Sequence, residues 1–300
     1  MKHNPKLAGV YAAIVTPFKP DESIDFDALK NLIDFLADGE VTGILIGGNT
    51  GEFPLLEKQE RKELFAKAVE YAAGRLKIVA CCSMNTTKST MEMITYANAV
   101  GVDYVILAIP NDMPTDFENV YAFFKEAAEL SDVGVCIYHY PSYTGVHLTP
   151  AQMADLAAID NVVGSKDVVD VDELMELLYI NRTRGNDTFG VLCAWDRQFV
   201  PAMAGGCEGI MGVAPTVVPK KCMQIYRAMR ADDVATARTI SQSLEPVYDA
   251  IFNKVPFPGG IKLALEALGI PCGNPRKPLA AADRNSLDEL KMIFNQLDKA

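Results

Sequence analysis

Residues 135–166 read VCIYHYPSYTGVHLTPAQMADLAAIDNVVGSK, and the fold turns on this stretch. It opens on the short apolar run Val135–Tyr138 and closes on another, Val162–Lys166. Between them, Thr149-Pro150-Ala-Gln152 supplies a side-chain cap, a proline at the first helical position and a reciprocal partner. That combination predicts a helix start. Strand, helix and strand in one short unit is the building block of a parallel sheet.

The same alternation extends in both directions. Strand-like runs stand at Val10–Val15, Gly43–Ile46, Ile78–Cys82, Tyr104–Leu107, Phe189–Cys193 and Gly209–Met211. Most are nearly continuous in hydrophobicity, as strands buried on both faces must be. Helical spacing lies between them. Leu29, Leu32, Ile33 and Leu36 follow Asp25, and Leu64, Phe65, Ala68, Val69 and Ala72 repeat on one face. Thr115-Asp-Phe-Glu118 has the form of a capping box ahead of Val120, Phe123, Phe124 and Ala127. Eight such alternations predict an α/β fold, a closed (β/α)8 TIM barrel. An open, doubly wound sheet is the competing topology, but no G-x-G-x-x-G phosphate turn is present. The strand signals stop near residue 230. Ala235–Ile251, Gly260–Leu268 and a capping box Ser286-Leu-Asp-Glu289 then predict helices, with Gly269–Pro278 as a loop. The expected organisation is a barrel over 1–230 and a C-terminal helical appendage over 231–300.

Composition narrows the partners. The 300 residues are 49% hydrophobic and 22% charged, ordinary globular usage. A net charge of −11 argues against nucleic acid and anionic membrane, which both select clustered Lys and Arg. Seven cysteines, an odd number with no C-x-x-C pair, fit a reducing compartment, and a cytoplasmic location is expected. The apolar run Val10–Val15 near the N-terminus is too short for a signal-peptide core, and no run approaches membrane-spanning length. The acidity leaves a puzzle: an acidic substrate must be held by local donors against the field of the whole protein.

Chemistry in a βα barrel sits at the C-terminal ends of the strands. Three sites there stand out. Lys166 ends a buried run, with Val162 and Gly164 on the same side of the strand. A partly desolvated amine has a lowered pKa, and a neutral amine can attack a carbonyl to give an iminium ion. The bland alternative is a structural pair with Asp167 or an amine reaching the rim. Tyr138 ends the preceding strand, close enough to share a point over the barrel mouth, and a phenol there can shuttle protons. Otherwise it is a packing residue with a wet hydroxyl. Gly47-Gly48-Asn49-Thr50-Gly51-Glu52-Phe53 follows the second strand. Its glycines admit a ligand to the backbone, and Asn49, Thr50 and nearby N–H groups can bind a carboxylate without a basic patch. Alternatively it is only a tight turn.

Together the three sites resemble the dihydrodipicolinate synthase and N-acetylneuraminate lyase family of class I, pyruvate-dependent aldolases. The family's G-[TS]-T-G-E loop stands here as Gly48-Asn49-Thr50-Gly51-Glu52. Its Y-N-x-P-x-x-[TS]-G segment is Tyr138-His139-Tyr140-Pro141-Ser142-Tyr143-Thr144-Gly145, and its G-x-K-[DE] strand end is Gly164-Ser165-Lys166-Asp167. Val15-Thr16-Pro17-Phe18 looks like the first strand end, and the similarity runs from about residue 9 to residue 280. The resemblance implies a catalytic set of Lys166 as Schiff-base amine, Tyr138 as proton shuttle and Thr50. It implies that Gly48, Asn49 and Thr50 bind the pyruvate carboxylate, that Met211 offers a backbone contact, and that Tyr143 faces the second substrate. No metal or organic cofactor is implied, and the family is usually a homo-oligomer, a tetramer or a dimer.

Departures bear on the substrate. Tyr143 stands where dihydrodipicolinate synthases carry an arginine that grips a carboxylate, a contact worth roughly 1.5–3 kcal/mol. Pro110-Asn111-Asp112 replaces a Pro-Tyr-Tyr relay segment, and His139 replaces an asparagine. Neuraminate lyases carry Asp-Glu after the seventh strand, where this chain has Trp195-Asp196-Arg197. The run Tyr140-Pro141, Thr144-Gly145, Leu148-Thr149-Pro150, Lys166-Asp167 and Val191-Leu192-Cys193 looks like 2-keto-3-deoxy-sugar-acid aldolases. The leading expectation is therefore reversible cleavage of such an acid to pyruvate and an aldehyde. Dihydrodipicolinate synthase chemistry, from pyruvate and aspartate semialdehyde, is the rival, alongside a dehydratase, a deaminase or a non-catalytic oxo-acid binder. A metal-dependent aldolase is disfavoured, because His3, His139 and His147 are the chain's only histidines.

Overall fold

The computed structural model describes residues 6–109 and 115–297. Eight parallel strands close into a barrel in chain order: β1 Gly9–Ala13, β2 Gly43–Ile46, β3 Lys77–Cys81, β4 Tyr104–Ala108, β5 Gly134–His139, β6 Val162–Asp167, β7 Gly190–Cys193 and β8 Gly209–Gly212. Every expected run falls on a strand. Apart from Lys77, each strand residue is buried, which is why the runs read as continuous rather than alternating. The largest difference is at β1, which ends at Ala13 instead of Val15. β5 and β6 run one residue further than expected, through His139 and Asp167, which pair in register.

Helices intervene as the spacing predicts. α1 (Phe26–Asp38) buries Leu29, Leu32, Ile33 and Leu36, and Asp25 caps it by accepting the Ala28 N–H. α2 spans Lys58–Ala72, α3 Thr87–Val100 and α4 Phe117–Leu130. α5 (Pro150–Ala157) carries the expected reciprocal cap between Thr149 and Gln152. α6 covers Val171–Arg184, α7 Phe199–Gly205 and α8 Pro219–Arg230. Beyond residue 230 come α9 (Val234–Ser243), α10 (Gly259–Ala267) and α11 (Leu287–Leu297), the proposed C-terminal extension.

Three local expectations need correction. Asp116, not Thr115, caps α4, accepting the Asn119 N–H at 2.9 Å. A carboxylate directly before the first turn both accepts that N–H and favours the positive end of the helix. Ser286 lies inside a 3₁₀ turn, Arg284–Ser286, capped by Asp283, and the last helix begins after it. The helix expected over Ala235–Ile251 is interrupted after Ser243. Pro246 follows and has no N–H to give to the helical ladder, and the chain continues as a π turn over Asp249–Asn253.

The chain forms two compact units, residues Met1–Val10 with Lys77–Gly212, and Tyr11–Leu76 with Val213–Ala300. In the first, Leu7 is fully buried and donates its N–H to Val163 O at 3.1 Å. Its backbone runs so close to Gly190 that a methyl group there would overlap the Leu7 carbonyl oxygen. In the second, Phe18 N donates to Cys272 O at 3.1 Å, and the Thr216 hydroxyl donates to Ala13 O at 2.9 Å. The C-terminal segment is thus bonded to the end of β1 and the residues that follow it. All seven cysteines are buried and none forms a disulfide, and among the described residues no helix is long and apolar enough to cross a membrane.

Candidate active site

Parallel pairing of β5 with β6 sets Tyr138 opposite Lys166 and His139 opposite Asp167. Alternation sends the two pairs to opposite faces of the sheet. On the Tyr138 face, the Lys166 Nζ sits 4.3 Å from the centre of the phenol ring. Both side chains are buried, Lys166 being 6% exposed and Tyr138 4%. Burial lowers the lysine pKa to about 8, while the Cys81 thiol and the Asp196 carboxylate pull it upward. At pH 7 that leaves roughly one amine in ten uncharged, against about one in three thousand for a free lysine. Burial pushes the Tyr138 phenol well above its usual value, so it holds its proton. Tyr138 stacks with Tyr140 at 6.1 Å between ring centres, and Tyr140 with Tyr143 at 5.7 Å. These stacked rings connect the β5 strand end to the short helix Pro141–Thr144, which bears Tyr143.

The opposite face carries a polar group that sequence reasoning left unassembled. Asp167 Oδ1 lies 3.2 Å from His139 Nδ1, and its Oδ2 accepts the Ser165 hydroxyl. His139 Nε2 accepts the Leu148 N–H at 3.2 Å, so the ring proton belongs on Nδ1 and is donated to Asp167. His139 therefore ties β5, β6 and the segment before α5 together. The bland expectation of a Lys166–Asp167 pair is not what is found, because the Asp167 carboxylate is engaged by His139 and Ser165. His139, His147 and Glu173 have ligand atoms within 4.8 Å of one another. Both His139 nitrogens are already committed, to Asp167 and to the Leu148 N–H, so that ring has no lone pair left for a cation.

After β7, a 3₁₀ turn over Asp196–Gln198 presents Asp196, whose buried carboxylate is the charge that acts on Lys166. Its place directly after the seventh apolar run was the available signal. Met211 is fully buried in β8, and a methyl group on the next residue, Gly212, would collide with Asp196 Oδ1.

The glycine-rich turn lies in the second unit. Gly47 takes φ +65 beneath Phe65, a conformation that suits glycine. Glu52 N–H donates to Asn49 O at 3.0 Å, and the Thr16 hydroxyl donates to Gly51 O at 2.6 Å. Thr50 is 4% exposed, and Asn49 Oδ1 is buried with no hydrogen-bond partner among the described residues. Glu52, read from sequence only as part of the motif, carries a fully buried carboxylate 2.8 Å from Lys262 Nζ. Pro110, Asn111 and Asp112 lie outside the described residues.

A model of the dihydrodipicolinate synthetase family matches residues 6–297. A 4-hydroxy-tetrahydrodipicolinate synthase of Oceanobacillus iheyensis is 31% identical over 290 residues, covering 96% of this chain and 97% of the relative. A dihydrodipicolinate synthase crystal structure from Aquifex aeolicus superposes with a TM-score of 0.90 at 30% identity, over 97% of this chain and 98% of that one. A prophage protein of the dihydrodipicolinic acid synthase family from E. coli K12, solved in complex with pyruvate, superposes with a TM-score of 0.90 at 25% identity, over 97% and 99%.

Proposed function

This chain belongs to the dihydrodipicolinate synthetase family, and from that premise we propose that Lys166 is the amine that captures pyruvate. Members are class I enzymes that work through a lysine Schiff base, and this chain is one of them. The observation that carries the assignment is the buried Lys166 amine over the Tyr138 ring, with its pKa lowered to about 8.

The neutral Nζ attacks C2 of the oxo acid, and the carbinolamine loses water to give an iminium ion. That cation draws electrons from C3, which sheds a proton to leave an enamine, and the enamine attacks an aldehyde carbon. Tyr138 passes protons to the departing hydroxyl and to the new alkoxide; attack on the re-formed iminium carbon, by water or by the product's own amine, then breaks the bond to Nζ and returns the free Lys166 amine. The Gly48-Asn49-Thr50 turn holds the carboxylate with neutral donors, which answers the problem of an anion entering an acidic protein. Met211 adds a backbone contact. The protein works as a homo-oligomer, which sedimentation analysis tests.

The names of the relatives favour condensation of pyruvate with aspartate semialdehyde over the sugar-acid cleavage expected from the sequence. We adopt condensation as the first reading. Tyr143 supports the second, since it stacks on Tyr140 and brings no cation for a second carboxylate. Paired assays separate the two: cyclic product from pyruvate and aspartate semialdehyde, and pyruvate release from a panel of 2-keto-3-deoxy acids. Product from the first with none from the second supports the synthase, and the reverse restores the aldolase. In both cases borohydride reduction with pyruvate must place the adduct on Lys166. An adduct elsewhere, or none, overturns the mechanism.

A further inference from the structure

Glu52 occupies the left-handed region at φ 61, a conformation that glycine takes without strain. Its side chain is nevertheless fully buried, ion-paired with Lys262 Nζ at 2.8 Å, and it accepts the Arg276 backbone N–H on Oε2 at 2.8 Å. Lys262, on α10, is equally buried, donates to Asn274 O at 3.1 Å and lies 4.3 Å from the centre of the Phe18 ring. The Arg276 guanidinium lies 4.5 Å from the centre of the same ring and grips Glu60 through both carboxylate oxygens, at 2.7 and 2.8 Å. It also donates to Leu55 O at 2.7 Å and Glu22 O at 2.6 Å. Every one of these contacts is made within the second compact unit.

A buried ion pair is a poor way to gain stability, because desolvating two charges offsets most of their attraction. It is a good way to fix geometry, since breaking the pair leaves a charge stranded in the interior. Here the fixed point is two residues from Thr50 and three from Asn49, and the Glu52 N–H itself bonds to Asn49 O. We propose that Glu52 and Lys262 are positioning residues, through which the C-terminal segment sets how tightly the Gly47–Glu52 turn holds the carboxylate of the oxo acid. The proposal rests on the reading of Asn49 and Thr50 given above. Neither residue touches the reacting atoms.

The test compares the full chain with Glu52→Gln, Lys262→Met and the double variant. It measures the pyruvate concentration that half-saturates borohydride trapping on Lys166, kcat at saturating pyruvate, and Tm. Each single variant should lower Tm, because it leaves one buried charge unpaired. The double variant removes both charges and should regain Tm, yet keep a half-saturating pyruvate raised roughly tenfold or more, since small misplacements of binding groups are felt strongly. Its kcat at saturation should stay within about threefold of the unaltered protein, the signature of lost binding rather than lost chemistry. A double variant with restored Tm and an unaltered half-saturation overturns the proposal, because the pair is then structural only. Should the single variants fail to fold, the double variant still decides. Absence of any Lys166 adduct in the unaltered protein fails the underlying reading first, and the proposal with it.

Discussion

Replacing Lys166 with methionine should abolish the pyruvate adduct and make the protein more stable. The side chains are close in length, and methionine leaves no charge in the interior. The magnitude follows from the amine's environment: burial takes the pKa from 10.5 to about 8, and at about 1.4 kcal/mol per tenfold this is about 3 kcal/mol. The sign follows from proton counting. Below about pH 8 both folded and unfolded chains carry the proton, so the full penalty applies. Between about 8 and 10.5 the unfolded lysine binds more protons than the folded one, and the stability of the unaltered protein rises with pH. The advantage of Lys166→Met should therefore be about 3 kcal/mol at pH 6 to 7 and under about 1 kcal/mol at pH 10. In calorimetry this is a Tm gain of roughly 5–10 °C at pH 7 that shrinks as the buffer is made alkaline. Urea unfolding at pH 7 and pH 10 gives an independent reading. A variant less stable than its parent at pH 7, or one whose gain persists at pH 10, would refute the argument that burial alone depresses this amine. The same pKa governs reactivity, so trapping of pyruvate should speed up roughly tenfold between pH 7 and pH 9.

Asp196→Asn removes a charge that holds the Lys166 pKa up, so the inflection in a trapping-versus-pH profile should move below about 8; an upward move contradicts the assignment. Tyr138→Phe should leave the Lys166 adduct detectable by mass spectrometry while turnover falls about 10²-fold or more, and normal turnover would mean another group carries the protons. Gly190→Ala sets a methyl group against the Leu7 carbonyl and should cost about 2–4 kcal/mol in urea unfolding as the N-terminal segment is expelled.

The strands were legible because both their faces are buried, which leaves an unbroken apolar run such as Tyr104–Ala108. Lys166 and Tyr138 were legible for the opposite reason, as polar residues ending such runs. Partners distant in sequence were not. His139 meets Asp167 only because β5 and β6 pair in one particular register, and a one-residue slip would separate them. Lys262 stands in Gly-Gly-Ile-Lys-Leu-Ala-Leu, where it reads as a helix surface position, and nothing local points to a carboxylate after β2. Cap residues were blurred by neighbours of similar chemistry, as with Thr115 and Asp116. Gly190 gave no signal of its own, since the demand on it comes from Leu7 passing alongside.

The bond from Arg276 to Glu52 spans 224 positions, which has a consequence for biosynthesis. Asn49 and Thr50 are made early, and Tyr138, Lys166 and Met211 follow, so every group proposed to act directly on pyruvate is in place in the chain while Lys262 and Arg276 are still untranslated. A nascent chain halted near residue 250 would carry Lys166 and Tyr138 with a slack anion turn, and tight capture of the oxo acid would wait for Lys262 and Arg276.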